Sequence, residues 1–173
     1  MLRYFTAGES HGKGLTAIIE GVPSGFQIDI NKINEELKLR QGGYGRGGRQ
    51  KIESDRVQVL SGIRGGVTLG SPITLWIENK DYQNWEPYMN ESDITEGKEV
   101  SRPRGGHADL WGGMKYNHRD LRNILERASA RETAMRVAAG AIAKKFLAAK
   151  FGIVIRGCLT QMGDIPLAIK DWE

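Results

Sequence analysis

The sequence predicts a globular protein that contains both strands and helices, in an order compatible with the α+β class. Its 173 residues are 39% hydrophobic and 27% charged, which is too apolar for a disordered chain and sufficient for one sizeable core. β-Rich runs at 14–22, 56–63 and 67–77 precede a long segment of helical propensity at 120–150. The length indicates one domain or slightly more.

The first half of the chain is divided by turn residues. The strand at 14–22 ends at Pro23-Ser24-Gly25, which is a typical turn sequence. A short helix begins at Asn31 and is stopped by Gly42-Gly43. The next two β-rich runs are separated by Arg64-Gly65-Gly66, which predicts a hairpin.

The second half contains a helical segment with an internal start signal. The polar residues 78–100 predict an excursion over the surface, and residues 153–159 predict a further strand. Within 120–150, Ser129-Ala130-Arg131-Glu132 fits a capping box, so we expect two helices with a joint near Ala128-Ser129. The free amides and positive dipole of the second helix start attract phosphate. A capping box alone is weak evidence for a ligand, because most capping boxes only cap.

Charge and composition exclude several classes of function. The net charge of +4 is far below that of a nucleic-acid-binding tail, but it permits an anionic ligand. No apolar run approaches the ~20 residues of a membrane span, and the first residues lack a secretory core. A single cysteine, Cys158, fits a reducing compartment. We therefore expect a cytoplasmic protein that binds neither membrane nor nucleic acid.

Glycines cluster around cations in two loops. Residues 40–51 place four cations among glycines, and residues 102–109 add two arginines and a histidine. Glycine lets the backbone approach a ligand closely, and arginine matches carboxylate and phosphate oxygens bidentately. The combination suits a small ligand with several negative groups. Solvated loops are one alternative, and a binder of single-stranded RNA is another, although the first loop offers only Tyr44 for base stacking.

Two of the three histidines are candidates for proton chemistry. His11 and His107 each lie among glycines, whereas His118 has the plainest context. Neighbouring arginines should favour a neutral imidazole, which could regain a proton when a dianionic ligand arrives and then act as an acid. No metal-ligand spacing or P-loop is present, so we expect no metal. A literal GxGxxG match at 43–48 follows a helix rather than a strand and is discarded.

Four segments in order resemble the chorismate synthase family. They are Gly8-Glu-Ser-His-Gly12, Arg40-Gln-Gly-Gly-Tyr-Gly-Arg-Gly-Gly-Arg49, Arg102-Pro-Arg-Gly-Gly-His-Ala-Asp109 and Glu126-Arg-Ala-Ser-Ala-Arg-Glu-Thr-Ala134. The resemblance implies an α+β sandwich in which helices pack between antiparallel sheets, and a homotetramer with a site in each subunit. The family converts 5-enolpyruvylshikimate 3-phosphate to chorismate by a 1,4-anti elimination of phosphate that requires reduced FMN.

The resemblance also implies roles for individual residues. His11 would protonate or stabilise the departing phosphate as a general acid, and His107 would balance the charge of the reduced flavin. The flavin-contacting stretch would be Arg127, Ala128 and Ser129. The substrate side would be lined by Arg40, Arg46, Arg49, Arg104 and Arg131. Of these, Arg40 and Arg46 are also where members that reduce their own flavin would place NADPH.

Two departures from the family pattern matter. Ala128 stands where the family commonly has serine, so one hydroxyl contact to the flavin is in question. Family members are also roughly twice as long, so residues 1–173 are expected to be the N-terminal part of a single domain. The absent part would carry the aspartate that removes the C6 proton, and this part alone is expected to be inactive. The alternative is a non-catalytic module that binds polyanions or single-stranded RNA through the Gly/Arg loops.

Overall fold

The structure of the protein is a computed structural model, and it describes residues 1–43, 52–93 and 95–168. Within it the chain divides into two compact units, Met1–Ile142 and Ala143–Glu173. The first unit holds most of the helices and strands as well as the buried core. No helix in the described ranges combines the length and the apolarity needed to cross a bilayer.

A four-stranded antiparallel sheet forms the centre of the first unit. Its strands are β1 (Arg3–Ala7), β2 (Gly14–Glu20), β3 (Gln58–Ser61) and β6 (Ile73–Glu78), in the order β1-β2-β6-β3. A single register shift interrupts the pairing of β3 with β6. The sequence analysis did not predict the N-terminal strand β1.

Buried residues occupy every second position of the two central strands and give the sheet one buried face. Leu15, Ala17 and Ile19 of β2 pair with Ile77, Leu75 and Ile73 of β6, and all six are at most 1% exposed. Successive side chains of a strand point to opposite faces, so these residues share one side. Apolar residues of the helices in this unit complete the core: Ile33, Leu37, Leu121, Ile124, Ala134, Met135, Ala138 and Ile142.

The predicted hairpin at Arg64-Gly65-Gly66 is confirmed. Strands β4 (Ile63–Arg64) and β5 (Val67–Thr68) pair antiparallel. Gly65 and Gly66 have φ values of 58° and 76°. Two successive residues with positive φ make the turn that matches the twist of a two-residue hairpin, and glycine adopts that conformation without steric cost.

Helix α1 (Ile30–Gln41) confirms the short helix expected to begin at Asn31. It begins because the side chain of Asp29 accepts a hydrogen bond from the Asn31 N–H at 2.9 Å. It ends at Gly42, as expected. The polar excursion contains a single-turn helix, α2 (Tyr82–Trp85), followed by a 3₁₀ turn (Glu86–Tyr88).

The joint expected near Ala128-Ser129 is also confirmed. Helix α4 (Arg122–Arg127) is followed by a 3₁₀ turn (Ala130–Glu132) and then by α5 (Thr133–Phe151). Ser129 caps the turn by accepting from the Arg131 N–H. The reciprocal half of the capping box is replaced, because the Glu132 carboxylate accepts from Thr6 and Arg136 instead. Helix α3 (Asp109–Tyr116) was not expected from the sequence.

The second unit contains the end of α5 and a short hairpin. Gly152 follows the helix with a φ of 66° and donates its N–H to the carbonyl of Ala148, as a helix-ending glycine does. Strands β7 (Gln161–Met162) and β8 (Ile165–Pro166) then pair antiparallel. The strand predicted at 153–159 is wrong: these residues are irregular. Their apolar side chains favour a strand, but a strand needs a hydrogen-bonded neighbour, and the described residues give them none.

Candidate active site

His11 is held against the carboxylate of Glu126. His11 lies in the loop between β1 and β2, whereas Glu126 lies near the end of α4. The imidazole Nδ1 is 2.9 Å from Oε1 and 3.0 Å from Oε2, and the His11 backbone N–H donates to Oε2 at 2.8 Å. An ionised carboxylate can only accept hydrogen bonds, so Nδ1 is a ring nitrogen that carries a proton. From the sequence we expected arginines beside this imidazole, but in the described structure it contacts a carboxylate.

Arg122 compensates the charge of the buried Glu126 carboxylate. The Glu126 side chain is 1% exposed, and the Arg122 guanidinium donates to its Oε1 at 3.1 Å from one helical turn away. Burial acts to raise the pKa of Glu126. The hydrogen bonds and the charge of His11, together with the hydrogen bond from Arg122, outweigh burial and leave that pKa below its ordinary value. Glu126 is therefore ionised near neutral pH.

The indole of Trp85 covers one face of the His11 ring. The two ring centroids are 4.0 Å apart with an interplanar angle of 27°. Two cations lie near the same indole, with Lys98 Nζ and Arg122 Cζ each 5.2 Å from its centroid. The polar excursion thus contributes a wall beside His11, which the sequence did not reveal.

Asn79 connects the loop between β1 and β2 that carries His11, called here the histidine loop, to Arg131. It follows β6, is 1% exposed, and donates from Nδ2 to the carbonyls of Glu9 at 3.0 Å and Gly12 at 2.8 Å. Its Oδ1 accepts from Arg131 Nε at 2.9 Å. One buried amide therefore satisfies both ends of the loop that carries His11 and orients the guanidinium next to it.

Arg131 and Arg40 share the carboxylate of Asp55. Arg131 is 7% exposed, donates to Asp55 Oδ1, and has a guanidinium nitrogen 3.6 Å from Glu53 Oε2. Arg40 reaches Asp55 Oδ2 at 3.4 Å and donates to the Ala130 carbonyl at 2.9 Å. The structure thus brings two of the arginines singled out in the sequence to one carboxylate. Their role towards a substrate stays a prediction.

The stretch assigned to the flavin lies beside the histidine loop. Arg127 donates to the Thr6 carbonyl at 2.7 Å and to Thr6 Oγ1 at 2.6 Å, and its side chain is 40% exposed. Ser129 Oγ is 3.0 Å from Ser10 Oγ, next to His11 in the chain. Ala128 is half-buried and ends α4.

Arg104 and His107 form a separate cluster around Asp109. The guanidinium of Arg104 donates to both carboxylate oxygens of Asp109, at 2.8 Å and 2.9 Å. The hydrogen bond from Arg104 outweighs burial and lowers the pKa of Asp109 to about 2. The exposed His107 has Nδ1 2.9 Å from the Gly105 carbonyl. The hydrogen bond to Asp109 raises the pKa of the Arg104 guanidinium, and the charge of Glu126 raises it further.

The remaining two arginines, Arg46 and Arg49, lie outside the described residues. Among the other sequence-predicted residues, shared partners link His11, Ser129, Arg131 and Arg40. Arg104 and His107 belong to the second cluster, and within it the charge of Glu126 acts on Arg104.

A cavity of about 340 Å³ is lined mostly by polar residues, among them Glu126, Arg122 and Glu9. Five carboxylates face it against two cations, Lys98 and Arg122, so it does not suit a ligand with several negative charges. The carboxylates are Glu9, Glu91, Glu99, Asp120 and Glu126. Within the described ranges, no group of three or more His, Cys, Asp or Glu side chains could hold a metal ion.

Several residues that organise the site were missed by the sequence analysis. Glu126 stands in one of the four motifs, but its separation of 115 residues from His11 gives no local signal. Asp55, Asn79 and Trp85 lie in segments without any motif. The one available signal was the spacing of Arg122 and Glu126, which is the i,i+4 separation of an ion pair on a helix.

The comparisons with known proteins all match this chain to one family. The family model described as chorismate synthase matches residues 2–172. A chorismate synthase from Carboxydothermus hydrogenoformans is 58% identical over 168 residues, which are 96% of this chain and 44% of the relative. One from an Exiguobacterium species is 66% identical over 150 residues, which are 84% of this chain and 39% of the relative. The chain thus spans less than half of the length of these relatives.

A solved structure is similar as well. A crystal structure of chorismate synthase superimposes with a TM-score of 0.62 and 51% sequence identity. The similarity covers 88% of this chain and 36% of the solved chain. The α+β fold class expected from the sequence is confirmed by this likeness together with the antiparallel sheets and helices described above.

Proposed function

The chain belongs to the chorismate synthase family, and we propose that it serves the conversion of 5-enolpyruvylshikimate 3-phosphate to chorismate and phosphate. The reaction is a 1,4-anti elimination and the last common step of the shikimate pathway, which supplies aromatic amino acids. The observation that carries the proposal is the family match over residues 2–172. On this basis the enzyme is a carbon–oxygen lyase that acts on a phosphate.

The substrate brings two carboxylates and a phosphate, and the cations of this chain are suited to it. Arg40, Arg104 and Arg131 are proposed to face the substrate together with Arg46 and Arg49, which lie outside the described residues. Arg40 supports this role, because its guanidinium is held at the start of α5 by Thr133 Oγ1 and the Ala130 carbonyl, and the positive end of a helix favours anions.

His11 is proposed to hand a proton to the departing phosphate. Its Nδ1 is occupied by the Glu126 carboxylate, so proton transfer to a ligand would take place at the other ring nitrogen, Nε2. Trp85 stacks on the ring and limits its rotation. The imidazole is thus oriented before a substrate arrives, as an efficient general acid requires.

The donor set near the end of α4 fits an anionic flavin. The side chain of Arg127 is 40% exposed and Ser129 carries a hydroxyl. The exposed imidazole of His107, in the separate cluster around Asp109, is proposed to balance the negative charge of the flavin. These residues would hold FMN, with Ala128 contributing only its backbone. When bound in reduced form, the flavin supplies electron density transiently and ends the cycle unchanged. We further propose NADPH near Arg40 and Arg46 as reductant, and a cytoplasmic homotetramer.

The proposal is tested with a chimera in which residues 1–173 replace the matching segment of the Carboxydothermus hydrogenoformans relative. The chimera is incubated anaerobically with reduced FMN and 5-enolpyruvylshikimate 3-phosphate, and chorismate and phosphate are measured. We expect both products, and a loss of roughly 10²-fold or more in kcat for His11→Ala, because general acid catalysis contributes about that much.

The matched control is His118→Ala. This histidine is exposed and its ring contacts Asn123, so the substitution should leave turnover unchanged. A chimera that folds and binds FMN but forms no chorismate would refute the proposed function.

A binder of polyanions or single-stranded RNA remains the second candidate, because the Gly/Arg loops could contact phosphates. Affinity for oligonucleotides that falls steeply with salt, with no change in FMN absorbance when the substrate is added, would favour this candidate. The lyase predicts the opposite pair of results.

A further inference from the structure

We propose that Glu126 is the positioning residue of His11: its buried carboxylate fixes the ring rotamer and the Nδ1–H tautomer, and so directs Nε2 to the ligand. The catalytic meaning of this inference rests on the proposed function, in which Nε2 of His11 takes up a proton when the dianionic ligand arrives and then delivers it to the departing phosphate. The structural part concerns only this chain.

The first argument is that one carboxylate binds two donors of the same residue. Oε2 of Glu126 accepts from the backbone N–H of His11 at 2.8 Å, and Nδ1 lies 2.9 Å from Oε1. A side chain attached at both its backbone and its ring has few rotamers left. The stacked indole of Trp85, at 4.0 Å between centroids, closes one face of the same ring.

The second argument concerns charge. A carboxylate that is 1% exposed needs a compensating cation, and Arg122 provides one at 3.1 Å whether or not the imidazole is protonated. Glu126 therefore stays ionised beside a neutral imidazole. An ionised carboxylate only accepts, so the neutral ring must keep its single proton on Nδ1 and present an unprotonated Nε2.

The third argument is that Glu126 is itself fixed in place. Its backbone carbonyl accepts from the Ser10 N–H at 3.0 Å, so α4 and the histidine loop are connected by backbone as well as by side chain. The Arg122 guanidinium also donates to the Lys98 carbonyl at 2.8 Å, which holds the compensating charge in position. Supporting contacts of this kind give a catalytic group its precision.

The test is ring-nitrogen NMR of the 173-residue chain labelled at histidine nitrogens. Spectra are recorded in alkaline solution, where a neutral imidazole carries one N–H. In the wild type we expect His11 Nδ1 to resonate in the protonated range and Nε2 in the unprotonated range. Glu126→Ala removes the acceptor and should shift the population towards Nε2–H, the tautomer that a free histidine side chain prefers in water. A matched control, Glu132→Ala, removes a carboxylate that pairs with Arg136 and should leave the His11 tautomer unchanged.

A wild-type His11 with its proton on Nε2 would overturn the inference, and so would a Glu126→Ala spectrum that keeps the wild-type tautomer. Should Glu126→Ala fail to fold, the wild-type spectrum still decides. The measurement needs neither substrate nor flavin, so its outcome is separate from that of the chorismate assay. An Nδ1–H tautomer in a chain whose chimera forms no chorismate would refute the reaction and support the positioning role.

Discussion

Asp55 illustrates how much of the candidate site depends on single buried side chains. It is 5% exposed and binds Arg131 and Arg40, while its backbone N–H donates to Gln41 Oε1 at 3.0 Å. Its loss would leave a buried guanidinium with less compensating charge, which costs far more than the loss of a surface pair. Asp55 therefore holds the guanidinium groups of Arg131 and Arg40 in place rather than contacting an anionic ligand.

We expect Asp55→Asn to lower the free energy of unfolding by roughly 3–5 kcal/mol, the usual cost of breaking a buried ion pair from one side. Urea titration measures it. The control is Glu35→Gln, because the pair of Glu35 with Lys32 is exposed and should leave the unfolding free energy nearly unchanged. Equal effects of the two substitutions would show that Asp55 does not carry the buried charge balance.

The lowered pKa of Asp109 predicts how the stability of the fold depends on pH. Its pKa in the folded chain is about 2 because Arg104 donates to it, whereas an unfolded aspartate titrates near 3.9. The folded pKa is depressed, so the stabilisation is present above about pH 4 and is lost as the pH falls towards 2. The difference between the urea midpoints of the wild type and Asp109→Asn should be largest at pH 6, smaller at pH 2.5, and lost only below about pH 2. A difference that does not change with pH would contradict this assignment.

At the scale of elements, α3 and α4 approach each other through glycine. A Cβ added to Gly112 would meet side-chain atoms of Ile124, and one on Gly113 would lie 2.6 Å from Leu121 Cδ2. Helices come this close only where a side chain is missing on one of them. The contact places α4, and with it Glu126, next to the segment that carries Arg104.

Gly112→Ala should therefore lower the free energy of unfolding by about 1–3 kcal/mol through overpacking. The matched substitution is Gly140→Ala in α5, where a Cβ would meet nothing within 4 Å. That change should raise stability by roughly 0.5–1 kcal/mol, because alanine is the better helix former. Thermal or urea unfolding distinguishes the two signs, and a stabilising Gly112→Ala would refute the close approach.

The elements that the sequence predicted are those with a local cause. The turn at Gly65-Gly66, the end of α1 at Gly42 and the joint at Ser129 each follow from residues within a few positions. Helix α3 was missed because its sequence contains two adjacent glycines, which are unfavourable within a helix and make sense only against α4. The strand expected at 153–159 failed for the converse reason: apolar residues alone do not supply a partner.

The same distinction holds for the candidate site. Motifs identified His11, Arg40, Arg104 and Arg131, because glycine and arginine patterns are visible along the chain. The motifs did not reveal that each of these cations or imidazoles is paired with a particular carboxylate. The pairs of His11 with Glu126 and of Arg131 with Asp55 join residues far apart in the chain, so only the tertiary structure contains them. Arg104 and Asp109 are five residues apart within one motif, but nothing in the motif itself marks them as partners.

At the scale of the whole molecule, we expect purified residues 1–173 alone to form no chorismate. No residue of the matched motifs is assigned to removal of the C6 proton, so half of the reaction has no candidate group here. The chain alone and the chimera are assayed side by side with reduced FMN and substrate. Turnover by the chain alone would contradict this expectation, whereas turnover by the chimera alone would support it.

The strand order β1-β2-β6-β3 has a consequence for synthesis on the ribosome. Strand β2 can pair with β1 as soon as both emerge, but its other edge waits for residues 73–78. At elongation rates of roughly 5–20 residues per second, that wait lasts about 3 to 12 seconds. During this interval the nascent polypeptide displays an unpaired edge and the apolar side chains of Leu15, Ala17 and Ile19. Until β6 emerges, this edge is therefore open to pairing with another chain.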